Sequence, residues 1–197
     1  MDDSFIKRLN LDSFEPLEKL NESDRGVCPK CKAKRKFYCY DCMMSLNEDI
    51  PHLKLPVDVT VIRHPKEKKS KSSIIPSKLL APENVEILHT IEVPELLKEG
   101  EDPESVVLMF PSEHATEIST MSKEDLTKIK RVVLIDSTWS QTRYYLRQDT
   151  IKNLKHIKIN TEKTVFWRYQ KGEEDTSLST IEALYFFFRD YESNLHH

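Results

Sequence analysis

Two short stretches carry residue types whose spacing could do chemistry. All four cysteines lie in CPKCKAKRKFYCYDC, as Cys28, Cys31, Cys39 and Cys42, a C-x2-C-x7-C-x2-C pattern. Two such knuckles can aim four thiolates at one point, so the spacing predicts a tetrahedral structural zinc site. Paired disulfides and a redox C-x-x-C are the competing readings. The lack of a secretory signal weighs against the first, and a redox pair needs no second knuckle. The other stretch is VVLIDSTWSQT at 132–142, where an apolar run meets Asp136, Ser137, Thr138 and Trp139. Asp136 there is either the cap of a following helix or the wall of an active site. Trp139 is either a core aromatic or part of that wall.

Composition bounds what these residues can belong to. A chain of 197 residues with 32% charged and 38% hydrophobic residues suits one main globular core with a small appendage. The net charge of -3 does not decide for or against nucleic acid, because a binder can carry its positive charge as a local patch. The N-terminus MDDSFIKRLN lacks a basic and then apolar leader, and no stretch is long enough to cross a bilayer. An intracellular protein without membrane association is therefore expected. Only three glycines occur, Gly26, Gly100 and Gly172, none in a G-x-G-x-x-G or Walker context, which argues against dinucleotide and P-loop phosphate cradles.

The elements that must position the chemistry follow from periodicity. Residues 1–25 read as an arm with one weakly amphipathic segment, SFEPLEKLN, and 26–52 as the zinc module, its seven-residue spacer able to form a small hairpin. In 53–197, PVDVTVIRHP, VEILHTIEV, ESVVLMFPSE, RVVLIDS and KHIKIN read as strands. Short helices are expected around Ser77–Leu80, over SKEDLTKIK with Ser122 as N-cap, and over TWSQTRYYLRQD. A longer one starts at LSTIEAL, where Ser179 and Glu182 have capping-box spacing. Apolar strands alternating with helices predict an α/β fold with a largely parallel sheet covered on both faces. In such a sheet, ligands sit at the carboxyl ends of the strands, where MFPSE and IDSTW fall.

Five pieces in order, the paired knuckles, RHPKE at 63–67, LMFPSEHA at 108–115, LIDSTWSQT at 134–142 and LSTIEAL at 178–184, make the chain resemble the DTW-domain tRNA-uridine aminocarboxypropyltransferases from about Cys28 onward. The resemblance implies a SPOUT-like α/β domain with a trefoil knot, which binds S-adenosyl-L-methionine (SAM) on knotted loops and needs no glycine cradle. It also implies transfer of the 3-amino-3-carboxypropyl group of SAM to N3 of a tRNA uridine, leaving methylthioadenosine. Location in the nucleus, with the cytoplasm as a second place, goes with it. Family members usually continue beyond the aromatic helix, so a C-terminally shortened form is expected.

Roles follow residue by residue. Asp136 is the expected catalytic acceptor of the N3 proton, with helix cap and anchor for the ammonium group of SAM left open beside it. Phe110, Pro111 and Ser112, then Ser137, Thr138 and Trp139, then Leu178, Ser179 and Thr180 are expected to line the SAM site, partly through backbone donors at loop turns and helix starts. Cys28, Cys31, Cys39 and Cys42 are expected to hold zinc. Lys68, Lys69, Arg168 and Lys171 are expected to contact tRNA, the lysines through phosphate and Arg168 beside Phe166 and Trp167, aromatics that could stack a base or fill the core. The knuckle lysines read equally well as a solvated face. His64, ahead of Pro65, is expected to hydrogen-bond a loop.

Overall fold

The structure, a computed structural model, describes residues Glu15, Glu18, Lys19, 24–47, 50–160, Thr164 and 178–196. Most of the arm, and with it most of SFEPLEKLN, lies outside the described residues, as do Phe166, Trp167, Arg168 and Lys171. The path of 161–163 and 165–177, on which the expected knot turns, lies outside them too. The chain separates into two compact units, Met1–Pro51 and His52–His197.

The first unit is built on two antiparallel ribbons. β1 (Gly26–Val27) pairs with β2 (Lys34–Arg35), and β3 (Tyr38–Cys39) pairs with β4 (Met44–Ser45). The seven-residue spacer does not form a hairpin of its own. It supplies the second strand of one ribbon and the first strand of the other, so each C-x2-C sits at its own tip. The residue after each second cysteine, Lys32 (φ 59°) and Met43 (φ 50°), is left-handed. That turn brings the Lys32 N–H back to the Cys28 carbonyl at 2.9 Å and completes the first tip.

The second unit is an α/β sandwich. Its strands are β5 (Asp58–Arg63), β6 (Val85–His89), β7 (Val106–Met109), β8 (Thr116–Glu117), β9 (Arg131–Asp136) and β10 (Lys155–Lys158). The order across the sheet is β6-β5-β9-β7-β10-β8, with each neighbouring pair parallel. The helices are α1 (Ile75–Leu80), α2 (Lys123–Lys128), α3 (Trp139–Tyr145), α4 (Asp149–Lys152) and α5 (Thr180–His196).

Strand periodicity sorts the core into two layers. Val59, Val61, Val132, Leu134, Val107 and Ile157 face one side, where Leu126, Leu184, Phe187 and Tyr191 from α2 and α5 cover them. Ile62, Val133, Val106 and Leu108 face the other, against Tyr145, Ile151 and Leu154. Burying each such side chain contributes about 1.5–3 kcal/mol, which explains why these strands read as unbroken apolar runs. The helix expected over TWSQTRYYLRQD is two, α3 and α4, divided at Leu146–Gln148. The edge strand β8 is too short to show a period.

Candidate functional site

Three strands place their last residues in one row. Arg63, ending β5, lies in register with His89 of β6 on one side and Asp136 of β9 on the other. Their odd-even positions put all three side chains on the face that α5 covers. Arg63 is only 1% exposed, so its charge needs partners. Its Nε lies 3.4 Å from Asp136 Oδ2, close enough for charge pairing though not aligned as a hydrogen bond. One terminal nitrogen meets His89 Nδ1 at 3.2 Å, and the other donates to the Glu67 carbonyl. Burial, with Arg63 alongside, lowers the pKa of His89. A neutral imidazole can then accept from the guanidinium.

The Asp136 carboxylate is held by Arg63, Ser72 and Thr180. Ser72 Oγ donates to Oδ2 at 2.7 Å and Thr180 Oγ1 to Oδ1 at 2.9 Å, while the Asp136 carbonyl accepts from His64 N–H at 3.2 Å. Asp136 is not the cap of α3. Thr138 takes that position, with Gln141 Oε1 accepting the Thr138 N–H at 2.9 Å, and Ser137 meets the Thr142 hydroxyl at 2.9 Å. Asp136 instead ties the loop after β5 to the first turn of α5. His64 does bond its own loop, its Nδ1 accepting from Lys66 N–H at 3.2 Å.

The start of α5 is a closed capping box. Ser179 N–H donates to Glu182 at 2.8 Å, and Ile181 N–H reaches Ser73 Oγ at 3.4 Å. The backbone donors expected to serve SAM from Ser179 are therefore engaged within the protein. The same holds for Ser112, whose N–H donates to the Phe110 carbonyl at 2.8 Å. Its hydroxyl meets His156 Nδ1 at 2.8 Å. Burial, aided by His114 and opposed by the Ile151 backbone, lowers the pKa of His156.

On the opposite face of the sheet, the ends of β7 and β9 carry an aromatic wall. Trp139 is 50% exposed, which excludes the core reading, and its ring meets Phe110 edge-on at 6.3 Å. Pro111 and Thr138 lie exposed beside these two in the chain, and Leu178 precedes the cap of α5 half-buried. Lys68 and Lys69 follow the Arg63 anchor, in the loop that also supplies Ser72.

In the first unit, one sulfur from each of Cys28, Cys31, Cys39 and Cys42 lies within 4.8 Å of the others. A tetrahedral zinc with bonds of about 2.3 Å spaces its sulfurs about 3.8 Å apart; Cys31 and Cys39 are 3.6 Å apart. The Cys31 N–H holds the Cys28 thiol down to about 6, while burial and the neighbouring sulfurs push Cys42 up to about 12. The donor set and spacing fit a metal ion.

Arg63, Ser72 and His156 were not legible as site residues. Arg63 was visible only as the first letter of RHPKE, and its partners stand 26 and 73 positions away in sequence.

A family profile described as DTW domain matches residues 27–197. The chain is 36% identical to mouse tRNA-uridine aminocarboxypropyltransferase 1 over an alignment covering 95% of this chain and 75% of that protein. It is 32% identical to the Xenopus laevis protein of that name, with 99% and 80% covered, and 35% identical to the human one, with 96% and 76% covered. No solved structure matches.

Proposed function

The chain belongs to the DTW-domain family, and from that premise we propose that it transfers the 3-amino-3-carboxypropyl group of SAM to N3 of a uridine in tRNA. The observation that carries this is the likeness to aminocarboxypropyltransferases along nearly the whole chain. A knotted path for the C-terminal part and zinc in the four-cysteine site belong to the same proposal.

SAM supplies an electrophilic γ-carbon. The N3–C bond forms, the carbon–sulfur bond breaks, methylthioadenosine leaves neutral, and the N3 proton needs an acceptor. Positioning dominates, because the methyl and γ-carbons sit on the same sulfur and only the aligned one reacts. Asp136 fits the acceptor role by geometry. A carboxylate has about four acceptor positions, and Arg63, Ser72 and Thr180 fix its plane while leaving a second position on Oδ1 for N3–H. The exposed Trp139 ring, braced by Phe110, offers a face to the adenine or the sulfonium of SAM. Lys68 and Lys69 would contact tRNA phosphate, with Arg168 and Lys171 as further contacts.

The test is to incubate the purified protein with SAM and unmodified tRNA, digest, and analyse nucleosides by mass spectrometry. A uridine carrying the aminocarboxypropyl group supports the reading. Its absence, with zinc and fold intact, counts against it.

A further inference from the structure

We propose that the outward face of α3 is an RNA-binding surface that holds the strand flanking the target uridine, a reading that rests on tRNA being the substrate. Along this helix Trp139, Ser140, Arg143 and Tyr144 are exposed, as is Arg147 just beyond its end, while Thr142 and Tyr145 are buried. At about 100° per residue the five exposed positions fall within an arc of about 140°. They form one stripe of about 12 Å at ~1.5 Å per residue, starting at the Phe110–Trp139 wall.

The chemistry of the stripe fits a nucleic acid strand. Among the described residues, neither the Arg143 nor the Arg147 guanidinium has an ion pair or hydrogen bond recorded. Tyr144 exposes 46% of its surface, and its hydroxyl donates to Glu92. That bond orients the ring. Asp149, opening α4, is the next acid along the chain. Two cations that make no ion pair among the described residues, beside an exposed aromatic ring, suit phosphate contact and base stacking together.

The surface is also set before any ligand arrives. Tyr145 donates its hydroxyl to the Thr90 carbonyl at 2.7 Å, Gln148 donates to the Ile91 carbonyl at 2.9 Å, and Val93 N–H donates to Gln148 at 2.8 Å. These bonds pin residues 90–93 against the helix, so little ordering remains to oppose binding.

The test compares wild type with Arg143→Gln/Arg147→Gln, Tyr144→Ala and Tyr144→Phe, measuring tRNA dissociation constants across salt concentrations. SAM affinity and the thermal midpoint are measured alongside. The double variant is expected to reduce the slope of log K against log salt by about 1.4–1.8. Tyr144→Ala is expected to weaken binding about tenfold or more, and Tyr144→Phe, which keeps the ring but loses the bond to Glu92, to weaken it several-fold less than Tyr144→Ala does. SAM affinity stays unchanged in all three, and all three keep a cooperative thermal transition. Folded variants with wild-type affinity and salt slope overturn the surface while leaving the proposed function standing. A wild-type protein that does not bind tRNA overturns both.

Discussion

Replacing Asp136 by alanine strips Arg63 of its counter-charge. Arg63 is 1% exposed and Asp136 14%, and breaking a buried pair costs about 3–5 kcal/mol because a charge is left uncompensated. The partial exposure of Asp136 places the cost near the lower end. Ser72 and Thr180 lose their acceptor as well, adding about 1 kcal/mol each. Asp136→Ala is thus expected to lose about 5 kcal/mol, a fall of roughly 10–20 °C in Tm at ~2–4 °C per kcal/mol. Asp136→Asn, which keeps one acceptor oxygen, is expected to lose about 2–3 kcal/mol on the same reasoning. Urea unfolding at constant m reads these values. Arg63→Met/Asp136→Asn removes the orphaned cation and is expected to be at least ~1 kcal/mol more stable than additivity of the single changes predicts, without regaining transfer. An Asp136→Asn protein within ~0.5 kcal/mol of wild type, or strict additivity in the double variant, refutes the clamp.

Metal analysis is expected to find one zinc per chain, lost in Cys39→Ser, and a chelator should unfold the first unit while the second keeps its thermal transition. His89 and His156 both have lowered pKa values in the fold, so the unfolded chain binds more protons below its ordinary histidine value of 6.5. Stability is then full above pH 6.5 and declines as pH falls through the folded values; His89→Gln and His156→Gln should each flatten that decline in acid unfolding curves, and curves that keep their slope would contradict it. Lys32 at φ 59° tolerates glycine, whereas Lys32→Val should destabilise the knuckle by about 1–2 kcal/mol, read as weaker zinc retention against a chelator. Equal retention by both variants would argue against left-handed strain.

What was legible in the sequence was local. The knuckle spacing, the apolar strands ending at Arg63, Met109 and Asp136, and the Ser122 and Ser179 helix starts are each set by neighbours a few residues away. They stand in the structure as expected. The clamp was not legible, because a buried arginine looks like any other until strand register sets it between His89 and Asp136. Asp136 looked like a cap for the same reason. The local signal for Thr138 with Gln141 was equally present, and tertiary partners decided between them. Trp139 stayed ambiguous in sequence because an indole suits a core and a ligand wall equally well, and only its exposure separates the two.

The central claim is that the γ-carbon of SAM, and not its methyl group, reaches tRNA. The most direct measurement supplies SAM labelled separately in the methyl and in the aminocarboxypropyl carbons and follows each label. Aminocarboxypropyl label in tRNA uridine, with methyl label leaving in methylthioadenosine, is the predicted result. Methyl label appearing in tRNA would contradict it.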